Sequence, residues 1–182
     1  MRSIPDPGFA GDDGGADPVV AAALAAYDRA SQADQPSAHL EALAVLQDSR
    51  VLVPVVAILD EMEESGAVEG AGSGLPREKS SDMAAVLMSG RDGRTALLAF
   101  TSKASLDRWA QSYAGGEPRP VPVAAHHAAN AALQDKAVAL LVDVAGPVLF
   151  VVEGEELGSL AAGHRLVRLE DQWAWVHNPQ DP

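Results

Sequence analysis

The chain has 182 residues, enough for one domain with flexible ends and cramped for two. It carries a net charge of −13, which argues against a phosphate-tracking nucleic-acid binder and disfavours an anionic membrane surface, so neither partner is expected. With no cysteine, disulfides, thiolate metal sites and thiol nucleophiles are excluded as well.

Residues 1–16 are rich in Asp, Gly and Pro and have little to bury, so they read as disordered. They lack the apolar core of a secretory leader, and a cytoplasmic setting is expected. Asp17-Pro18 starts a helix carrying Val20, Leu24 and Tyr27 at helical spacing. Pro36 interrupts, and Ser37 can start a second helix with Leu40, Leu43 and Leu46 on one side. Val51 to Val56 is the first strand, and Pro54 predicts an edge position or a bulge. Residues 60–82, acidic and then Gly-rich, read as a long mobile loop.

Met83 to Met88 and Thr95 to Phe100 form a hairpin about the turn at residues 90–94. Ser102 then caps a helix that sets Leu106, Trp109 and Tyr113 on one face, with Phe100 beneath them as core. Pro118 to Pro122 reads as an extended connector, after which Pro122 opens an Ala-rich helix. In it Ala124, Ala128, Ala131 and Ala132 permit close approach to the sheet. Ala137 to Val142 and Val148 to Val152 pair about a turn containing Asp143, Gly146 and Pro147. Asp143 is suited to bonding that turn's backbone. A short helix and a final strand, Arg165 to Leu169, lead to a tail over 164–182 with Trp173, Trp175 and Val176. This order predicts an α+β domain over 17–163, with one mixed, mainly antiparallel sheet of about five strands and helices packed on it.

Taken together, three landmarks resemble the SseB protein N-terminal-domain family in its actinobacterial form. They are LVPV at Leu52–Val55, FTS at Phe100–Ser102 with Trp109 seven residues on, and DVAGPVLFVVEG at Asp143–Gly154 with Leu157 and Leu160. The resemblance spans roughly Ala38 to Gly163. It implies a small bacterial α+β domain and supplies no catalytic residue to carry over.

Candidate chemistry is sparse. His126 and His127 point about 100° apart on a helix and cannot chelate together. His39, His164 and His177 are scattered along the chain. Gly70 to Gly74 misses every phosphate-loop pattern, since Leu75 stands where a third Gly belongs and Glu78 precedes Lys79-Ser80. Asp143, Glu153, Glu155 and Glu156 flank the last hairpin and read as an acidic rim rather than a cation site. Trp173 and Trp175 share one face of an extended tail, so they dock on their own domain or on a partner. No cofactor or metal is expected. A protein partner or a second copy is the expected ligand, and an interaction or regulatory module the expected function. A small-molecule sensor or enzyme with a site near Asp143 and the 90–94 turn is the alternative.

Overall fold

A computed structural model of the protein describes residue 9 and residues 11–58 and 82–177. The predicted loop over 60–82 falls almost entirely outside these residues, as does most of the leading segment. The described residues form five helices and nine strands, an α+β fold with mostly antiparallel pairing. The strands lie in three sheets rather than the single five-stranded sheet expected.

Helix α1 (Pro18–Arg29) starts as its sequence dictates. The Asp17 carboxylate accepts from Val19 N at 2.7 Å and Val20 N at 3.4 Å, and Pro18 takes a position that needs no N–H. Helix α2 (Gln35–Leu46) begins before Ser37, because Pro36 sits in the first turn instead of interrupting. The two helices bury Val20, Leu24, Ala42, Leu43 and Leu46.

Strand β1 (Arg50–Ile58) is central, not an edge. It lies between β2 (Asp82–Ala85) and β5 (Arg119–Ala124), both antiparallel to it. The Pro54 carbonyl accepts from Val86 N at 2.9 Å, so the polar groups at this position face β2. Pro54 has no N–H to return to Val86. The Val86 carbonyl instead accepts from Leu98 N at 3.3 Å, on the next sheet. The missing proline donor thus falls where the chain leaves one sheet for the other.

The segment read as a connector is β5 itself. Pro120 pairs in register with Pro54, and Pro122 with Leu52. At these alternate positions the backbone groups of β5 face away from β1, so neither proline removes a ladder bond. Helix α4 (Ala125–Gln134) therefore starts after Pro122. Its buried stripe is Ala125, Ala128, Ala129 and Ala132.

The second sheet runs β3 (Leu87–Ser89), β4 (Thr95–Ala99), β6 (Ala139–Val142), β7 (Phe150–Glu153), with β4 and β6 parallel. The β4–β6 connection holds α3 (Lys103–Ala110), β5 and α4, long enough for a parallel return. Leu52 and Phe100 exchange both backbone hydrogen bonds, at 2.7 and 2.9 Å, and join the two sheets. One core cluster packs α1, α2, α4 and α5 (Gly154–Ala161) on the face holding Leu97, Ala99, Leu140, Val142, Phe150 and Val152. A smaller cluster holds Leu52, Val86, Leu98 and Phe100 under Leu106 and Trp109 of α3. Tyr113, just past that helix, is half-buried and stacks on Trp109 at 4.6 Å.

The tail folds back as a hairpin, β8 (Arg165–Leu169) and β9 (Gln172–Val176), in a sheet of its own. An isolated two-stranded hairpin is marginal in water. Here Leu166 is buried, and Trp173 and Trp175 pack half-buried against the main core. Both indoles therefore dock in cis.

Candidate functional site

Three places bring polar side chains together. The first lies at the carboxyl ends of the parallel pair β4 and β6, where open α/β sheets commonly take ligands. Ser102 caps α3, its hydroxyl accepting from Ser105 N at 3.1 Å. Asp143, 2% exposed, follows β6 in a left-handed conformation with φ of 56°. Its carbonyl accepts from Gly146 N at 2.8 Å and closes a turn over residues 143–146, with Pro147 just after it. Its carboxylate turns the other way. Oδ1 accepts from Thr101 N at 2.9 Å and Oδ2 from the Thr101 hydroxyl at 2.6 Å. The proposed bond of this side chain to its own turn is thus replaced by a clamp on the end of β4. Beside the clamp is a cleft of about 270 Å³ lined by Thr101 and Asp143 together with Leu24, Ser105, Arg108 and Val148.

Arg50 ties the leading segment to this end of the molecule. Its guanidinium donates to both carboxylate oxygens of Asp12, to Thr101 O at 2.6 Å and to Gly15 O at 2.6 Å. Lys103 N, at the start of α3, donates to Gly14 O at 2.7 Å. Residues 11–16 therefore form a strap, whereas composition reads them as disordered. The difference is one arginine that satisfies carbonyls and a carboxylate together.

The Arg50 hydrogen bonds hold the Asp12 carboxyl below its ordinary value near 3.8; burial opposes this, and the Gly14 N–H reinforces it. A depressed pKa stabilises above the unfolded value, and the stabilisation is lost as pH falls through the folded one. The strap is expected to stay latched at neutral pH and to release only below about pH 3.8. Amide exchange at Lys103, corrected for intrinsic rates, reports this. Unchanged protection down to pH 2 would remove Asp12 from the latch.

The 90–94 turn lies elsewhere. It precedes β4, whereas Asp143 follows β6, and the two strands run in parallel. About 15–20 Å of strand separates them, so the shared site proposed for them does not form. At the turn, the Arg94 side chain holds the Asp92 carboxyl below its usual range, helped by the Arg94 N–H, in an exposed ion pair. The other carboxylates also diverge. Glu156 meets His39 Nε2 at 2.7 Å, and Glu153 and Glu155 are exposed. Among the described residues, no group of three or more His, Asp or Glu could hold a metal ion.

His39 stacks on Phe150 at 4.7 Å, far along the chain from the other histidines. His164 and His177 meet edge-on at 5.8 Å across the ends of the hairpin. The second place is a cleft of about 250 Å³ lined by His126 and His164 together with Asp48, Ser49 and Arg165. Arg165 is already paired to Asp48, at 2.6 and 2.7 Å.

The third place is the hairpin. Gln47 clamps it to α2: its Nε2 donates to Leu166 O at 2.9 Å, and its Oε1 accepts from Leu166 N at 2.7 Å. The backbone groups of Leu166 therefore point away from β9, and so do those at every second residue of β8. By the register Leu166–Trp175 and Arg168–Trp173, the N–H and C=O of Trp173 and Trp175 point away from β8. Both indoles face inward while both backbone edges face outward, and no other described strand pairs with that edge. On the outer face, Leu169 is 56% and Val176 36% exposed. No sequence signal marks Gln47, whose partner lies 119 positions on. Gln47→Ala strips two part-buried backbone groups of their partners and is expected to cost about 1–3 kcal/mol. It should also red-shift the tryptophan emission as the hairpin loosens. An unchanged spectrum and stability would show that the indoles alone hold the hairpin.

These features define a small α+β domain whose buried polar groups are tied into its own architecture and whose C-terminal hairpin keeps one edge open. The chain belongs to the SseB protein N-terminal domain family, whose model matches residues 20–159. No curated protein and no solved structure matches it. The match ends within α5, so β8 and β9 lie beyond the matched stretch.

Proposed function

We propose that the chain is a non-enzymatic interaction or regulatory module that receives a protein segment in extended conformation on β9. The observation that carries this reading is the open edge of β9, with the backbone groups of Trp173 and Trp175 directed outward. Strand addition uses such an edge, taking affinity from main-chain hydrogen bonds and specificity from alternate side chains. The indoles are spent on the core, so the contact is made by backbone rather than by an aromatic anchor. The charge of −13 argues for a protein partner over nucleic acid.

The test is capture by the full chain and by Gln172→Lys/Val176→Lys, which adds charges beside the edge without touching the core. A stoichiometric protein recovered by the wild type and lost with the variant supports the reading. Equal recovery moves the interface off β9, and recovery by neither bait of another protein or of a second copy of this chain overturns it.

A second reading, a small-molecule sensor, rests on the cleft beside Thr101 and Asp143. Its volume is just under the ~300 Å³ at which ligand pockets begin. A metabolite that raises the unfolding temperature, and stops doing so in Ser105→Trp, would favour it.

A further inference from the structure

We propose that β9 pairs antiparallel with β9 of a second copy of this chain, about a two-fold axis at Ala174. The inference rests on the reading of the β9 edge given above and names its occupant.

The edge is self-complementary. An antiparallel pair centred on Ala174 places Trp173 of one copy opposite Trp175 of the other. These are the residues whose backbone groups face outward, so each pair exchanges both hydrogen bonds, and the axis repeats the set. Centring the axis on Trp173 or on Trp175 pairs only one of the two residues with its own copy and leaves the other out of the set.

Charge agrees with geometry. A net charge of −13 opposes self-association in general. Strand β9 is the exception, since QWAWV carries no charge; on β8, Arg165 and Arg168 are paired to Asp48 and Glu41. The same register brings Asp171 opposite His177 of the second copy, whereas parallel pairing would set Asp171 against Asp171.

Two other edge strands, β5 and β8, are guarded where β9 is not. Pro120 and Pro122 leave the outer edge of β5 without donors at those positions, and Gln47 occupies the outer edge of β8. Gln172 to Val176 contains no proline, no charge and no covering side chain among the hydrogen bonds of the described residues.

The test is the mass of the full chain by sedimentation velocity, from low to high micromolar concentration. The wild type is expected to pass from monomer to dimer across this range. Ala174→Glu sets two carboxylates against each other at the axis and should weaken the dimer about tenfold or more. Ala174→Lys should do the same. An equal mixture of the two variants should recover the dimer as a heterodimer, which a merely misfolded variant could not do.

A wild type that stays monomeric throughout overturns the proposal. So does a dimer that Ala174→Glu leaves intact, or a mixture that fails to recover. A monomeric wild type whose captured partner is still lost with Gln172→Lys/Val176→Lys would sink the second copy as occupant and leave the module reading standing.

Discussion

Trp109→Ala is expected to destabilise the protein by about 3–5 kcal/mol, a large share of the ~5–15 kcal/mol that holds a domain of this kind folded. Trp109 is 6% exposed, lies 5.4 Å from the Phe100 ring and is stacked by Tyr113. Helix α3 has eight residues, too few to be helical alone, so its place depends on what it buries. Its buried apolar anchors are Leu106 and Trp109. Alanine at 109 removes the larger one and opens a void over Leu98 and Phe100, which relaxation fills only in part. Trp109→Phe keeps a ring against Phe100 and Tyr113 and should cost roughly half as much. Urea unfolding at constant m-value measures both. A loss under about 0.5 kcal/mol for the alanine variant would place Trp109 on the surface.

The elements legible in the sequence are those set by local chemistry. Asp17 and Ser102 each cap the helix they precede, and the apolar runs at Val51, Thr95 and Ala139 are strands. What escaped is set by partners distant in sequence. Pro54, Pro120 and Pro122 argue against strands when each is read alone. Pro120 and Pro122 are tolerated because their missing N–H points away from β1, and Pro54 because the Val86 carbonyl it leaves unserved accepts from Leu98 instead. Gln47 and Arg50 are ordinary surface types whose roles come from a backbone segment 119 residues away and a strap 35 to 38 residues away. The tail illustrates the same limit. Alternation places both indoles on one face, but only the Gln47 clamp decides which backbone edge remains open.

Asp143→Ala should cost about 3–5 kcal/mol, and Asp143→Asn only about 1–2. The alanine variant leaves the Thr101 N–H and hydroxyl without acceptors in a site that is 2% exposed at residue 143. Each stranded donor costs ~1–3 kcal/mol. Alanine also tolerates φ of 56° poorly, whereas asparagine adopts it readily. Asparagine keeps an oxygen for the Thr101 N–H, and the hydroxyl can rotate to accept from the new amide. Thr101→Val adds the cross-check, since it removes one donor and leaves a buried carboxylate under-partnered. In a double-mutant cycle the Thr101 and Asp143 losses should be non-additive, because the hydroxyl–carboxylate bond is lost in either single variant. Additive losses would mean that the carboxylate acts on something other than Thr101. Asparagine as costly as alanine would mean that charge, not hydrogen-bond geometry, holds the strand ends. Either result would return Asp143 to consideration as a group available to a ligand in the cleft beside it. The expected pattern instead commits both carboxylate oxygens to Thr101 and leaves the cleft without an ionised group of its own at that wall.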